Sequence, residues 1–203
     1  MGMSTRMPLG TFNANSIGSQ FKREETLPSD LEAYKIGILG FQETRIDHQS
    51  EVQIGKYHLF TLPTGNPHHG IGFAIAPHLR ENLRKCWAHS DRVGILQIQF
   101  SGAHRVNVIT GYAPHSGYPT VDVDKFYEDL HDAFHSLPSR NTTFIIGDFN
   151  TKIGRRREGE TYLGNWGRGQ RNRNGHTLAL FCEANQLFLT NTAFQKKAQH
   201  LTT

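Results

Sequence analysis

The 203-residue sequence has few cysteines, little net charge and no long apolar run. No stretch approaches the roughly 20 apolar residues of a membrane-spanning helix, and residues 1–10 lack the apolar core of a signal peptide. Cys86 and Cys182 form neither a metal-binding pair nor a dense disulfide framework, so we expect two buried thiols. These absences predict a nuclear or cytoplasmic protein that is neither secreted nor membrane-bound.

The pattern of apolar residues predicts a single domain over residues 1–203 that mixes strands and helices. The 36% hydrophobic and 10% aromatic content is enough for a substantial core. We expect strands over 8–14, 36–41, 57–62, 70–76, 95–100, 106–111, up to 148, and over 187–190. Helices are expected from a capping box at Ser29 and Glu32, over 123–137, and after a cap at Asn174. This order predicts an α/β (α+β) fold of two packed mixed sheets covered by helices.

The segment 144–150, Phe-Ile-Ile-Gly-Asp-Phe-Asn, is the most informative stretch of the chain. A short apolar run ends on a glycine, and Asp148 and Asn150 then follow two positions apart. Buried strands that end this way deliver polar side chains to the rim of a sheet. A carboxylate there can act as a general base, and an amide beside it can hold the group under attack.

Polar side chains follow the ends of four predicted strands, and the sequence predicts that they share one cleft. They are Asn13 and Asn15, then Glu43, then Tyr112, then Asp148 and Asn150. Each alone has an ordinary structural explanation. The asparagines suit turns, the glutamate suits a solvated strand end, the tyrosine suits a core with its hydroxyl in water, and the Asp-Phe-Asn segment suits an Asx turn.

A glycine-rich basic loop follows between Thr151 and Gly175. It contains Lys152, Arg155, Arg156, Arg157, Arg168, Arg171 and Arg173, against only Glu158 and Glu160. A basic loop directly after a candidate active-site strand suits a polyanionic substrate. A solvated surface loop is the alternative explanation.

The motifs at the strand ends resemble the endonuclease/exonuclease/phosphatase superfamily, which includes deoxyribonuclease I and the apurinic/apyrimidinic endonucleases. The resemblance rests on the Asn-Ala-Asn-Ser segment at 13–16, Gln-Glu-Thr at 42–44, Tyr-Ala-Pro at 112–114 and Gly-Asp-Phe-Asn at 147–150. A narrower similarity connects the chain with endonuclease domains of non-LTR retrotransposons and the related craniofacial-development-protein-2-like genes. It rests on 164–167, 172–175, 178–182 and 189–194.

The resemblance implies a DNase I-like four-layer sandwich and Mg²⁺- or Mn²⁺-dependent cleavage of phosphodiesters. By position, Glu43 is the main metal ligand, and Asn15 stands where many relatives have a second, aspartate ligand. Asp148 orients or deprotonates water, Asn150 holds the phosphate, Tyr112 donates to a phosphate oxygen, and Asn13 orders the site. Arg45, His115 and the basic residues of the loop are expected to contact DNA, and His115 stands where apurinic endonucleases commonly have asparagine.

The resemblance also implies an incomplete C-terminus. Family members continue through a strand that carries an aspartate and then a Ser-Asp-His motif, whereas this sequence ends at His200-Leu201-Thr202-Thr203. We therefore expect missing last strands, an exposed sheet edge and a nicking rate reduced by orders of magnitude. The expected protein is a monomer with DNA as its partner. In full-length relatives a reverse transcriptase follows this domain.

Three functions remain open from the sequence. The first is a magnesium-dependent endonuclease of retrotransposon origin that nicks DNA. The second is a non-catalytic fragment that binds metal or nucleic acid. The third is a phosphoesterase of the same superfamily that acts on phosphoinositides or other phosphoesters. The basic loop and the narrower motifs favour nucleic acid over the third.

Overall fold

A computed structural model describes residues 7–18, 22–66, 69–100, 102 and 105–195. Contacts between residues divide the chain into two compact units. The first unit is Met1–Ala113 with Asp124–Asp148, and the second is Pro114–Val123 with Phe149–Thr203. The first unit contains all the strands described below.

The first sheet is mixed, as the sequence predicts. Its strands are β1 (Leu9–Asn13), β2 (Ile38–Gln42), β3 (Ser50–Ile54), β4 (Tyr57–Leu62) and β5 (Ile71–Ile75). Their spatial order is β1-β2-β5-β4-β3. Strands β1 and β2 run parallel, and the other neighbours are antiparallel. The parallel pair at one edge brings two strand ends to the same side.

The second sheet is also mixed. Its strands are β6 (Leu83–Ala88), β7 (Val93–Gln99), β8 (Arg105–Tyr112) and β9 (Thr142–Asp148), in that spatial order. The pair β8–β9 is parallel, and the other two pairs are antiparallel. The sequence predicts a strand that ends at Asp148, and β9 confirms it. Strand β9 is an edge strand with Phe144 41% exposed.

The two sheets pack face to face, and helices cover their outer faces. The interior between the sheets holds Phe73 and Ile75 against Leu96 and Val108. Helix α1 (Leu27–Ala33) lies on the outer face of the first sheet, where Leu31 packs in a second buried cluster. Helix α3 (Thr120–His135) matches the helix predicted over 123–137, and its Phe126 ring lies against Gly111 of β8. The four-layer arrangement confirms the predicted fold class.

Two helix starts differ from the prediction. A short π-helical segment, Lys22–Thr26, leads into α1, which begins at Leu27, so Ser29 is not the cap. Pro28 in the first turn explains this start, because proline suits positions that lack a hydrogen-bonded N–H. Helix α4 (Arg173–Ala184) is capped by Asn172, whose side chain accepts from the Gly175 N–H at 2.8 Å, and not by Asn174.

The prediction of a strand over residues 187–190 is wrong. Leu189 forms a single bridge with Leu163, and a 3-10 turn follows at Thr190–Thr192. The short helix α2 (Pro77–Arg80), together with β3 and β6, was not predicted. Within the described part of the chain, no helix is long and apolar enough to cross a membrane.

Both cysteines are free, and the predicted burial is confirmed for Cys182 but not for Cys86. Cys182 is buried in α4 and Cys86 is partly buried in β6. Burial raises the pKa of the Cys182 thiol to about 11 and, together with the charge of Glu51, that of Cys86 to about 12. Neither thiol is therefore ionised at neutral pH.

Candidate active site

The carboxyl ends of two parallel strand pairs bring four polar side chains together. In the first sheet, β1 ends at Asn13 opposite Gln42, and Glu43 follows Gln42 directly. In the second sheet, β8 and β9 end side by side at Tyr112 and Asp148. Because parallel strands end at the same edge and β1 packs against β9, both pairs of ends meet within the first unit.

The amide of Asn13 joins the two carboxylates. Its Nδ2 donates to Glu43 Oε1 at 2.8 Å and to Asp148 Oδ2 at 3.0 Å. Its Oδ1 accepts from the backbone N–H of Asn15 at 3.1 Å, which is consistent with this orientation of the amide. The Tyr112 hydroxyl donates to Glu43 Oε1 at 2.8 Å. We call Asn13, Glu43, Tyr112 and Asp148 the strand-end cluster.

The backbone around the cluster adopts left-handed conformations that side chains other than glycine rarely take. The angle φ is +54° at Glu43, +42° at Asn15 and +55° at Arg45. Such conformations cost on the order of 1–3 kcal/mol each, and they persist where the surrounding structure enforces them. Their concentration directly after β1 and β2 is typical of a functional site.

The electrostatics of the cluster keep the Glu43 carboxyl charged and the Tyr112 hydroxyl protonated. Burial opposes ionisation of Glu43, but the hydrogen bonds from Asn13 and Tyr112 and the charge of Arg45 outweigh it. The pKa of Glu43 therefore lies below its usual value. Burial and the Glu43 carboxylate raise the pKa of Tyr112. At neutral pH the carboxylate is charged and the phenol keeps its proton, so Tyr112 can donate to an anionic oxygen.

The donor set fits a hard divalent cation held by a single carboxylate and water. Both hydrogen bonds to Glu43 fall on Oε1, and Oε2 is the oxygen that a cation can take. Asn15 Oδ1 accepts from Arg45 at 2.8 Å, and a guanidinium so close disfavours a second cation on that oxygen. Among the described residues, no group of three or more His, Cys, Asp or Glu could hold a metal. Mg²⁺ commonly needs only one or two carboxylates.

Asn150 lies in the second unit, and its role remains a prediction. It adopts a left-handed φ of +47°. Its backbone carbonyl accepts from Asn174 Nδ2 at 3.4 Å, and the same nitrogen donates to the carbonyl of Pro114 at 3.0 Å. Asn174, predicted as a helix cap, instead ties two segments of the second unit together.

Most of the basic residues predicted to contact DNA lie on the surface of the second unit. The exposed ones are Lys152, Arg155, Arg156, Arg157, Arg168 and Arg173. Arg156 donates to Asn165 at 3.2 Å, and Arg173 donates to Thr120 and to the Tyr118 carbonyl. His115 is exposed and stacks edge-on against Tyr118 with ring centroids 4.6 Å apart.

Arg171 has a different place from the rest of the predicted basic set. Its side chain is 4% exposed and makes a two-pronged ion pair with Glu160. Its Nε also donates to the carbonyl of Ile153 at 2.7 Å. The Arg171 hydrogen bonds lower the pKa of Glu160 to about 2. A guanidinium committed in this way cannot reach a phosphate without breaking a buried pair, so we leave Arg171 out of the proposed DNA contacts.

The sequence did not single out two residues that hold Tyr112. Arg92 directly precedes β7 and is 8% exposed, and its Nη1 donates to the Tyr112 carbonyl at 3.1 Å. Its guanidinium carbon lies 5.2 Å from the centre of the Tyr112 ring. Arg92 Nη2 lies 2.8 Å from Nε2 of His69. The one sequence feature that could have identified Arg92 is its position at the start of an apolar run. A charged residue buried there needs partners, so a search for those partners would have been justified.

Comparison with known proteins places the chain in a family context. A model of the Endonuclease/Exonuclease/phosphatase family matches residues 10–182. Craniofacial development protein 2 of Bos taurus is 28% identical over 96% of this chain, and that of Tragulus javanicus is 26% identical over the same share. The match covers 32% and 33% of those two proteins, so the chain spans about a third of the length of these curated relatives.

Among solved structures, an AP endonuclease from Archaeoglobus fulgidus has a similar fold. The TM-score is 0.57 at 18% sequence identity, over 89% of this chain and 71% of the other. At this identity the likeness concerns the fold alone.

Proposed function

This chain belongs to the Endonuclease/Exonuclease/phosphatase family, and from that premise we propose that it is a divalent-metal-dependent endonuclease that nicks DNA. The observation that supports this most directly is the Asn13 amide, which holds the Glu43 and Asp148 carboxylates together. Two carboxylates kept close and in different environments can divide the work of binding a cation and accepting a proton.

In the proposed mechanism, Glu43 would hold Mg²⁺ or Mn²⁺, and Asp148 orients the attacking water and takes its proton. The water oxygen bonds to phosphorus as the bond to the leaving sugar oxygen breaks, and that oxygen takes a proton from solvent. Bound there, the cation supplies positive charge that neutralises the phosphate. The Tyr112 hydroxyl donates to a phosphate oxygen, because its pKa is raised and the proton stays in place. Asn13 keeps the carboxylates at a fixed separation. We propose Asn150 as a further phosphate contact.

DNA is the proposed substrate because the exposed arginines of the second unit suit a polyanion. The charge is uneven along the chain, and the sequence pI is about 9.2 despite a net charge of only +4.

The segment that carries these arginines is held in place by residues of the retrotransposon-type motifs. Asn172 accepts from the backbone N–H of Lys152 at 3.1 Å, and Asn165 accepts from Arg156. On these motifs we propose a retrotransposon-type endonuclease.

The test is conversion of supercoiled plasmid to the nicked circle. We expect nicking that requires Mg²⁺ or Mn²⁺, that EDTA abolishes, and that falls by about 10²-fold or more in Glu43→Gln and in Asp148→Asn. The matched controls, Glu51→Gln and Asp129→Asn, change carboxylates that pair with Arg80 and Lys125 elsewhere in the first unit. They should nick like the wild type.

Two outcomes would overturn this function. Nicking that survives both cluster variants would mean that the activity comes from elsewhere. A folded wild-type protein with no nicking above a mock-purified control would favour the non-catalytic alternative.

A further inference from the structure

We propose that Arg92, held by His69, is a positioning residue that fixes the Tyr112 hydroxyl on Glu43. This inference rests on the proposed function of the strand-end cluster. It concerns residues of the first unit only, and it assigns a task to a buried charge that the proposed mechanism does not otherwise use.

Arg92 grips Tyr112 at its backbone and at its ring. The Tyr112 N–H donates to the Arg92 carbonyl at 2.9 Å, and Arg92 Nη1 donates back to the Tyr112 carbonyl at 3.1 Å. The guanidinium also lies over the aromatic ring, 5.2 Å from its centre. Tyr112 is the last residue of β8 and pairs with Asp148 of β9, and the N–H of Ala113 still donates to the Asp148 carbonyl at 2.9 Å. These backbone bonds do not contact the Tyr112 ring, whereas the Arg92 guanidinium does.

His69 fixes the arginine in turn. A guanidinium can only donate, so His69 Nε2 must accept the contact from Arg92 Nη2 at 2.8 Å. The other ring nitrogen, Nδ1, lies 3.4 Å from Asp91 Oδ2. The His69 ring also meets the Tyr112 ring edge-on, with centroids 6.0 Å apart. Arg92 and His69 together thus confine the Tyr112 ring.

Gly70, the residue after His69, contacts the segment that carries Glu43, the acceptor of the Tyr112 hydrogen bond. The Gly70 carbonyl accepts from the backbone N–H of Thr44, the residue after Glu43, at 3.0 Å. Gly70 has a φ of +60°, and an added Cβ would lie 2.2 Å from Thr44 Oγ1, so only glycine fits this close approach. The dipeptide His69-Gly70 therefore helps to position both residues of the Tyr112–Glu43 hydrogen bond, Tyr112 through His69 and Glu43 through Gly70.

The charge of Arg92 adds an electrostatic effect to the positioning. The positively charged guanidinium lies 5.2 Å from the centre of the Tyr112 ring, close enough to act on the phenol directly. A phenol over which a positive charge lies is a better donor to an anionic oxygen. Loss of Arg92 should therefore weaken Tyr112 as a donor even where the ring stays in place.

A double-mutant cycle on plasmid nicking tests the proposal. We expect Arg92→Met to lower kcat roughly 10- to 100-fold with little change in KM, the size of effect that misplacement of a reacting group produces. On the Tyr112→Phe background, which lacks the hydroxyl, the same change should have no further effect. An equal fall on both backgrounds would overturn the proposal, because Arg92 would then act independently of the hydroxyl.

Conservative variants separate positioning from folding. His69→Gln keeps an acceptor for Arg92 and should nick close to the wild-type rate, whereas His69→Leu removes the acceptor and should lower kcat. Arg92→Lys keeps the buried charge and loses the planar fork, so we expect a smaller fall than in Arg92→Met. Arg80→Met is the matched control, since Arg80 also lies over an aromatic ring, Phe60, at 5.6 Å. It should leave kcat unchanged.

An NMR measurement decides the inference even if the wild type does not nick DNA. The six tyrosines are labelled at the ring Cζ, and the Tyr112 signal is the one missing from Tyr112→Phe. Glu43→Gln marks the shift that follows loss of the acceptor carboxylate. Arg92→Met and Arg92→Lys should move the Tyr112 signal in the same direction, and Arg80→Met should not. An unmoved signal in both Arg92 variants would refute the positioning role and leave the proposed function standing.

Discussion

At the scale of single residues, the amide nitrogen of Asn13 donates hydrogen bonds to two carboxylates. The Nδ2 of Asn13 has two hydrogens, and one points to each carboxylate of the strand-end cluster. An aspartate at this position would place three like charges together, and an alanine would leave two charges without a shared donor. Asparagine is thus a short side chain that can donate to both carboxylates at once.

Asn13→Ala should move the acid limb of the pH–rate profile to higher pH. Burial favours the protonated form of Glu43, and the bond from Asn13 helps to keep its pKa below the usual value of 4.5. Without that bond the pKa rises, so a higher pH is needed to keep the carboxylate charged. The measurement is nicking rate against pH, with Thr11→Ala of the same strand as the control. An unmoved acid limb would contradict the electrostatic role of Asn13.

The sequence predicts the chemistry of the cluster but not its supports. Asn13, Glu43, Tyr112 and Asp148 each follow an apolar run, so local patterns place them at strand ends, and parallel pairing brings those ends together. Arg92 and His69 lack such a pattern. Their burial depends on packing between distant segments, which local sequence does not encode. For the same reason the sequence does not distinguish Arg171 from the exposed arginines near it. Only the structure shows its ion pair with the buried Glu160.

At the scale of elements, the strands that the sequence misses are edge strands. Strands β3 and β6 lie at the outer edges of the two sheets, and their sequences, Ser-Glu-Val-Gln-Ile and Leu-Arg-Lys-Cys-Trp-Ala, are rich in polar and charged residues. Edge strands carry such residues because one side of the strand faces solvent and must resist pairing with other chains. The apolar periodicity that identifies β2, β4, β5, β7 and β8 is therefore weak there.

Gly147 is required because the backbone of β8 occupies the space that a side chain would need. It pairs directly with Gly111, and an added Cβ would lie 2.1 Å from the Gly111 carbonyl oxygen. We expect Gly147→Ala to lower the free energy of unfolding by about 2 kcal/mol or more, measured by urea denaturation, and to reduce nicking because the next pair is Tyr112 with Asp148. Gly159→Ala, with φ at +82° and no atom within 4 Å, should cost only about 1 kcal/mol. Equal losses in the two variants would refute the steric argument.

The arginines of the second-unit loop should set the salt dependence of DNA binding. Replacing Arg155, Arg157 and Arg168 with glutamine removes three exposed charges. If each contacts a phosphate, the slope of log affinity against log salt should fall by up to about 2.7. Fluorescence anisotropy with a duplex oligonucleotide measures this slope. Gln replacement of Arg84 and Lys85, exposed on β6, is the control and should leave it unchanged, whereas an unchanged slope in the loop variant would exclude these DNA contacts.

At the scale of the whole molecule, each compact unit contains one of the two tryptophans. Trp87 belongs to the first unit and Trp166 to the second. Replacing either by phenylalanine leaves a fluorescence signal from a single unit. This allows the stability of each unit to be measured by itself in the intact chain.

The Glu160–Arg171 pair should make the second unit sensitive to acid. The pKa of Glu160 falls from 4.5 to about 2 in the folded unit, first through the Arg171 hydrogen bonds. The stability from this pair is therefore present above about pH 4.5 and is lost as the pH falls toward 2. In Trp87→Phe, urea unfolding followed at Trp166 should show this loss.

Arg171→Met tests the same pair by removing one partner. At pH 7 the variant should be less stable by about 3–5 kcal/mol, because a buried charge is left alone. Its stability should depend less on pH between 4.5 and 2 than that of the wild type, because burial opposes ionisation of Glu160 and only the hydrogen bonds from Arg157 and Tyr162 remain to lower its pKa. Arg173→Met, an exposed arginine of the same unit, is the control. The same pH dependence in Arg171→Met and the wild type would show that the pair does not set the acid limit.

The hydrogen bond from Asn13 to Asp148 also has a consequence for the order of folding. It joins residues 135 positions apart and connects the edge strand of one sheet with the edge strand of the other. Each sheet can gain its own ladders from contacts closer in the chain, but closing so long a loop is slow. We therefore expect the two carboxylates to meet late, after both sheets exist. Partly folded forms with undocked sheets would then hold no assembled cluster, and a ligand that binds only the assembled cluster would favour the docked state.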